Sequence, residues 1–131
     1  MKIMIEISPG ELIDRTTILR LKSAHITDPQ KSGLVRAELV RHEELVAALP
    51  HDVALRALVD RLFVINARLW EIEDDIRICE RALEFGPTFI KLARDVYRTN
   101  AERFTAKRAI DQLLGSAIME VKSYKEEALS P

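Results

Sequence analysis

Asn100, Arg103 and Lys107 recur at spacings of three and four residues in a stretch whose other members at that spacing are Phe89, Ala93, Val96, Ile110 and Leu114. An apolar helical stripe interrupted by two cations is costly unless a carboxylate, a bound anion or water meets each charge. Upstream, Asn66, Glu73 and Glu80 fall seven residues apart with Trp70 among them, and Glu11, Asp14, Arg15 and Lys22 crowd an earlier helical stretch. Brought together, Glu11, Asp14, Arg15, Lys22, Glu73, Asn100, Arg103 and Lys107 form a mixed-charge cluster between three helices. Two kinds of behaviour are open to it. The cations can hold the carboxylate or phosphate of a small molecule, with Glu73 or Asp14 as acid or base. Alternatively the charges pair with one another or reach solvent, and fix the register of the helices. In that second case, Arg103→Leu is expected to leave stability level or raised.

Other chemistry is poorly provided for. His25, His42 and His51 lack a paired spacing of the H-E-x-x-H kind, so neither a metal nor a cofactor is expected. Cys79 lies on an apolar stripe with no cation or helix N-terminus placed to activate it, and reads as a packed thiol. Glu71-Ile72-Glu73-Asp74-Asp75 is similar to the acidic clusters by which helical nucleotide pyrophosphatases hold magnesium. It lacks a second acidic pair at matching spacing upstream, and therefore reads as a solvated face. There is no Gly-rich phosphate loop and no nucleophile elbow. Twenty Lys+Arg against 21 Asp+Glu give a formal net charge of -1. That balance gives no field to draw in nucleic acid or an anionic membrane.

Helices must position these groups. Hydrophobic residues at 47%, aromatics at 5% and only four glycines favour an all-α chain, here a single helical domain over residues 1–131. Ser8-Pro9-Gly10-Glu11 is a capping box with proline at the first helical position, and opens a first helix running to about Ile26. Asp28-Pro29 repeats the signal for a second helix, whose seam of Val35, Leu39, His42, Val46 and Leu49 ends before Pro50. From Asp52 to Phe85 there is no Gly or Pro, and Leu55, Leu58, Leu62, Ile65, Leu69, Ile72, Ile76, Cys79 and Leu83 keep a strict heptad seam. At the α-helical rise this third helix is roughly 51 Å long. Gly86-Pro87 is expected to end it and open a fourth, which stops at Gly115-Ser116.

If the chain reverses at Gly86-Pro87, the two seams oppose each other at a constant sum of residue numbers, 172, from Leu83 with Phe89 to Leu58 with Leu114. One kinked continuous helix leaves that match unexplained. The fold expected is therefore all-α, an antiparallel up-down helical bundle with a long helix 3–helix 4 hairpin. Alternation of Ile3, Ile5 and Ile7, and again over residues 117–124, adds a short terminal strand pair, with a short final helix near residues 125–129 as the alternative. The first two helices are expected to cover only the base of the hairpin. Its tip, with Ile76, Ile78, Leu83, Phe89, Ile90 and Tyr97, then has more apolar surface than two helices can bury, which predicts a homodimer. One lone cysteine, no signal peptide and no apolar run of bilayer length indicate a cytoplasmic protein without membrane or nucleic-acid partners.

Four segments also carry a resemblance: Ser8-Pro9-Gly10-Glu11-Leu12-Ile13-Asp14-Arg15, Leu69-Trp70-Glu71-Ile72-Glu73-Asp74, Ala93-Arg94-Asp95-Val96-Tyr97-Arg98-Thr99-Asn100 and Lys122-Ser123-Tyr124. With Thr17-Ile18-Leu19, they resemble a family of uncharacterised bacterial proteins over nearly the whole chain. That resemblance implies no catalytic residue; its members are sometimes encoded near surface-polysaccharide and glycosyltransferase genes. Glu11 to Arg15 is also similar to the first helix of all-helical chorismate mutases, at the level of fold alone. The function expected is an oligomeric interaction or scaffold protein, linked to surface-polysaccharide biosynthesis. The alternative is a small-molecule binder or enzyme that takes an anionic substrate in the polar cluster.

Overall fold

The computed structural model of the chain describes residues 1–124, and all the regular structure among them is helical. Helix α1 spans Pro9–His25, α2 Pro29–Ala47, α3 Val53–Arg81 and α4 Pro87–Leu113. The first three open on side-chain caps. Ser8 accepts the Glu11 N–H at 3.1 Å, Asp28 the Lys31 N–H at 2.9 Å and Asp52 the Leu55 N–H at 2.7 Å, each answering one orphan donor of a first turn. The capping box at Ser8 is only half made, because the Glu11 carboxylate turns to Arg15 and Lys107 instead.

The end of α3 departs from expectation. The helix stops at Arg81, and Leu83 takes the left-handed conformation at φ 55. Glu84 N–H then reaches Cys79 O at 2.9 Å and Leu83 N–H reaches Glu80 O at 3.1 Å, a Schellman turn built on leucine. That backbone costs a side-chain-bearing residue roughly 1–2 kcal/mol. Gly86, at φ -84, is instead the N-cap of α4. Helix α4 ends in the same motif with glycine in the strained place, Gly115 at φ 63.

Helix α1 is central, packing against each of the other three, whereas α2 packs against α1 alone. No residue of α2 is fully buried; its seam is half-covered, and Val46 and Leu49 are the residues that reach the main core. The expectation that α1 and α2 together cover the hairpin base is corrected accordingly, with α2 as an outer layer. The core itself is Ile13, Leu55, Leu62, Ile65, Ala106 and Ile110, with Leu58 and Leu114 packed on it. Helices α3 and α4 pack against each other, with Arg68 bonding Glu102 at 2.8 Å and Leu62 and Ile110 sharing the core, while Phe85 in the connection between them meets Phe89 edge-on at 5.2 Å.

Among the described residues there is no strand, so the terminal strand pair is a misreading of the alternation. Ile3 and Ile5 stay exposed, as a two-stranded ribbon with no third strand or helix beneath it is marginal in water. Side chains hold the C-terminal segment instead: Glu120 binds Lys107 at 2.9 Å, and Lys122 lies 5.5 Å from the Phe104 ring centre. The expected helix near residues 125–129 lies outside the described residues. No described helix is long and apolar enough to cross a membrane.

Two glycines give opposite expected outcomes on substitution. A Cβ on Gly10 would overlap the Lys107 carbonyl oxygen and the Asp111 carboxylate, whereas one on Gly33 in α2 meets nothing within 4 Å. Gly10→Ala should destabilise by about 1–3 kcal/mol, because the added methyl is forced against the α4 backbone and the Asp111 carboxylate. Gly33→Ala should stabilise by about 0.5–1 kcal/mol. Urea unfolding of the two variants checks both signs.

Candidate functional site

The polar cluster forms where α1 lies in the groove of α3 and α4. Asp14 is 1% exposed, and its two oxygens accept from Arg103 Nε at 2.9 Å and Nη2 at 2.6 Å, a bidentate pair. From α3, Asn66 Nδ2 donates to Asp14 Oδ1 at 3.0 Å and to Thr17 Oγ1 at 2.8 Å. The Thr17 hydroxyl in turn donates to the Asp14 carbonyl at 2.8 Å. One turn towards the start of α1, Lys107 Nζ lies 2.6 Å from Glu11 and 2.9 Å from Glu120, and Glu11 also takes Arg15 Nε at 3.0 Å. At the helix start, the Gly10 N–H donates to buried Asp111 at 2.6 Å, where a carboxylate also complements the α1 dipole.

These pairings govern the electrostatics. For Arg103 the hydrogen bond to Asp14 outweighs burial and raises its pKa above the ordinary value. Burial pulls Lys107 down, but hydrogen bonds to Glu11 and Glu120 and the nearby charges of Asp14 and Glu11 more than offset it, so its pKa is raised. Burial pushes Glu11 up, and the hydrogen bonds and charges of Lys107 and Arg15 overcome it, so its pKa is lowered. A general acid or base works best with a pKa moved towards the working pH, and all three shifts run away from neutrality.

Of the residues singled out from sequence, Glu11, Asp14, Arg15, Arg103 and Lys107 are brought together, with Asn100 as a weak neighbour of Arg103 at 3.4 Å. Lys22 and Glu73 are not in the cluster. Lys22 is exposed in the last turn of α1, and Glu73 pairs with Arg77 one turn along its own helix. Asn66, noted on the α3 stripe but left out of the expected cluster, belongs to it, and four further members were missed. Thr17 lies one turn from Asp14 and Asp111 one turn from Lys107, so helical spacing carried a signal for both; Gly10 and Glu120 are placed by tertiary contact, which periodicity does not encode.

A shallow cavity of about 120 Å³ beside the cluster is lined by Asn100, Arg103, Phe104, Lys107, Glu120 and Lys122. Glu120 already occupies its main cation. Among the described residues no group of three His, Cys, Asp or Glu side chains could hold a metal. Each histidine ring bonds a backbone carbonyl one turn back, and His25 also stacks on Trp70 at 4.8 Å.

The whole chain, residues 1–131, matches the model of a family described as "Family of unknown function (DUF6165)". No curated protein and no solved structure matches it.

The Arg103→Leu expectation drawn from sequence now reverses, because the variant strands the Asp14 carboxylate in the interior. A loss of about 3–5 kcal/mol is expected, and Asp14→Leu combined with Arg103→Leu should recover most of it. Chemical denaturation of the three variants measures both. Glu11 sets an acid limb: its folded pKa lies below the ordinary 4.5, so its stabilisation is complete above that value and lost as pH falls through the folded one. Thermal unfolding between pH 6 and pH 3 should show this loss, and Glu11→Gln should flatten it.

Proposed function

The chain belongs to this family of unknown function, and from that premise we propose that it is an interaction or scaffold protein of the cytoplasm, an up-down bundle whose protruding α3–α4 end pairs with a second copy. The observation that carries the reading is an apolar end without cover. Ile78, Leu83, Phe85, Ile90 and Tyr97 are each at least 50% exposed, and between Glu73 and Arg98 Cys79 is the one buried residue. Ile76 and Phe89 are half-buried, so Phe85 replaces them in the surface expected from sequence. Exposed apolar surface gathered in one place marks contact sites.

Total area supports the same reading. The chain exposes 9419 Å², against about 7,000 Å² for a compact monomer of this mass. Exposed Met1, Ile3, Met4 and Ile5 at the N-terminus contribute to that excess, as do the apolar side chains of the α3–α4 end. A stable interface removes about 800 Å² from each partner, which the excess accommodates. Surface-polysaccharide synthesis is proposed as the setting on the resemblance alone.

The alternative, capture of a carboxylate or phosphate by the polar cluster, carries less. Arg103 and Lys107 already face Asp14, Glu11 and Glu120, so an incoming anion must displace a carboxylate that is tethered to the same chain.

Sedimentation equilibrium at micromolar concentration tests the proposal. The expected mass is twice 15.0 kDa, falling to a monomer in Ile78→Asp and Ile90→Asp with the helical circular dichroism unchanged. A wild-type monomer at that concentration contradicts it.

A further inference from the structure

Arg103, Lys107 and Lys122 line the cavity of about 120 Å³ beside the polar cluster, with Glu120 as the carboxylate among its lining residues. Asp14 and Glu11 answer Arg103 and Lys107 from α1. These three carboxylates are held differently. Asp14 is 1% exposed and takes the Arg103 guanidinium through both oxygens. Glu11 is anchored on the same helix and shared with Arg15. Glu120 sits beyond Gly115, on a segment without regular structure, and its side chain is 41% exposed.

Little else fastens that segment to the helices. Ala117, Ile118, Val121 and Ser123 are exposed, while Met119 and Lys122 are half-buried. Ser116 bonds the Ile118 backbone within the segment itself, and Lys122 reaches α4 by lying 5.5 Å from the Phe104 ring centre. Residues 116–123 thus form a strap whose ion pair to the helices is Glu120 with Lys107 at 2.9 Å, and a pair so open to water is a weak fastening. Withdrawing Glu120 leaves Glu11 to face Lys107, and Lys122 loses a carboxylate 4.0 Å away. Arg103 commits Nε and Nη2 to Asp14, while its Nη1 makes only a long 3.4 Å contact with Asn100. With the strap lifted, ammonium and guanidinium donors exceed the acceptors that face them.

We propose that Glu120 is an internal stand-in for the phosphate of an external ligand, and that a phosphate monoester dianion displaces it from Lys107, lifts the strap and is held by Lys107, Lys122 and Arg103. A carboxylate from solution offers Lys107 only what Glu120 already supplies from a tether, at an effective concentration roughly in the millimolar range. A phosphate brings nearly two charges and three acceptor oxygens, which can meet several of these donors together. The cavity is well below the roughly 300 Å³ at which whole-ligand pockets begin, so it takes the phosphate and leaves the rest of the ligand outside. The inference rests on the anion-capture reading of the polar cluster, with the displaced carboxylate now identified. It is independent of self-association, whose apolar surface lies farther along α3 and α4.

Methyl phosphate, inorganic phosphate and acetate, titrated into the full chain at one ionic strength, separate the terms. Two-dimensional ¹⁵N–¹H NMR follows the Arg103 Nε–H for the cation site and the amides of Ala117, Ile118 and Ser123 for the strap. In the wild type, methyl phosphate should shift both sets saturably, the strap amides towards their positions in Glu120→Gln. Inorganic phosphate should bind about as tightly, and acetate should give no saturable shift. A strap open about a tenth of the time raises the apparent Kd about tenfold, so Glu120→Gln should bind methyl phosphate roughly tenfold tighter. Unchanged or weaker binding by that variant overturns the proposal, as does acetate matching methyl phosphate. Inorganic phosphate binding tenfold tighter than methyl phosphate overturns the monoester. No saturable shift of Arg103 removes anion capture itself, whereas a shift of Arg103 with the strap amides unmoved removes the displacement alone. The wild-type titration decides the matter even if the variant fails to fold.

Discussion

A carboxylate shut away from water dictates where its partner must be, and Asp14 imposes that condition on this fold. Its neutralising guanidinium comes from α4, 89 residues farther along the chain, through two parallel hydrogen bonds. The forked geometry of arginine fixes angle as well as distance, so the pair sets the rotation of α1 about its axis and its position along the groove. Everything else in the cluster is consistent with that one setting. Asn66 meets Asp14 and Thr17 from α3, Lys107 meets Glu11, and Gly10 comes close enough to α4 for its N–H to reach Asp111. Buried pairs of this kind add little net stability over apolar residues of the same size, and their effect is to make other packings expensive.

With α1 so placed, the remaining layers follow. Helix α1 is surrounded and buries residues on several faces, and α2 can only lie outside it, tied through the Arg20–Glu43 pair at 2.6 Å and a half-buried seam. Helices α3 and α4 are the longest, at 29 and 27 residues against 17 in α1. A short helix set against the far half of a long pair leaves the near half uncovered, which is why large apolar side chains there stay exposed among the described residues. The same inequality of lengths leaves the polar cluster covered by α1 and large apolar side chains exposed at the α3–α4 end.

Much of this was legible from residue order. The Ser8-Pro9 and Asp28-Pro29 caps act locally and place two helix starts, and the heptad seam of α3 is buried at Leu55, Leu62, Ile65, Ile72 and Cys79. Asp14, Arg103 and Lys107 stood out because charges on apolar stripes demand explanation. What failed depended on competition between local signals or on tertiary approach. Glycine is the usual left-handed residue, yet Leu83 takes that conformation three residues ahead of Gly86, where the helix has already met its C-terminal hydrogen bonds. Alternation at Ile3, Ile5 and Ile7 had no third element to pack on. Glu73 and Lys22 share a helical stripe with cluster members, but Glu73 pairs with Arg77 one turn along α3, and the rotation of α1 that buries Asp14 leaves Lys22 exposed. Gly10 read as punctuation, while its missing side chain matters because α4 passes against it.

If the Asp14–Arg103 pair governs the fold, α1 cannot open without the α3–α4 core. Native-state hydrogen exchange, residue by residue, is the most direct measurement of that coupling. The account predicts that amides from Ile13 to Leu21 exchange only with global unfolding, at the same free energy as those of Leu62 and Ile110, while α2 exchanges at a lower one. Exchange of the α1 amides through a local opening well below the global free energy would contradict it.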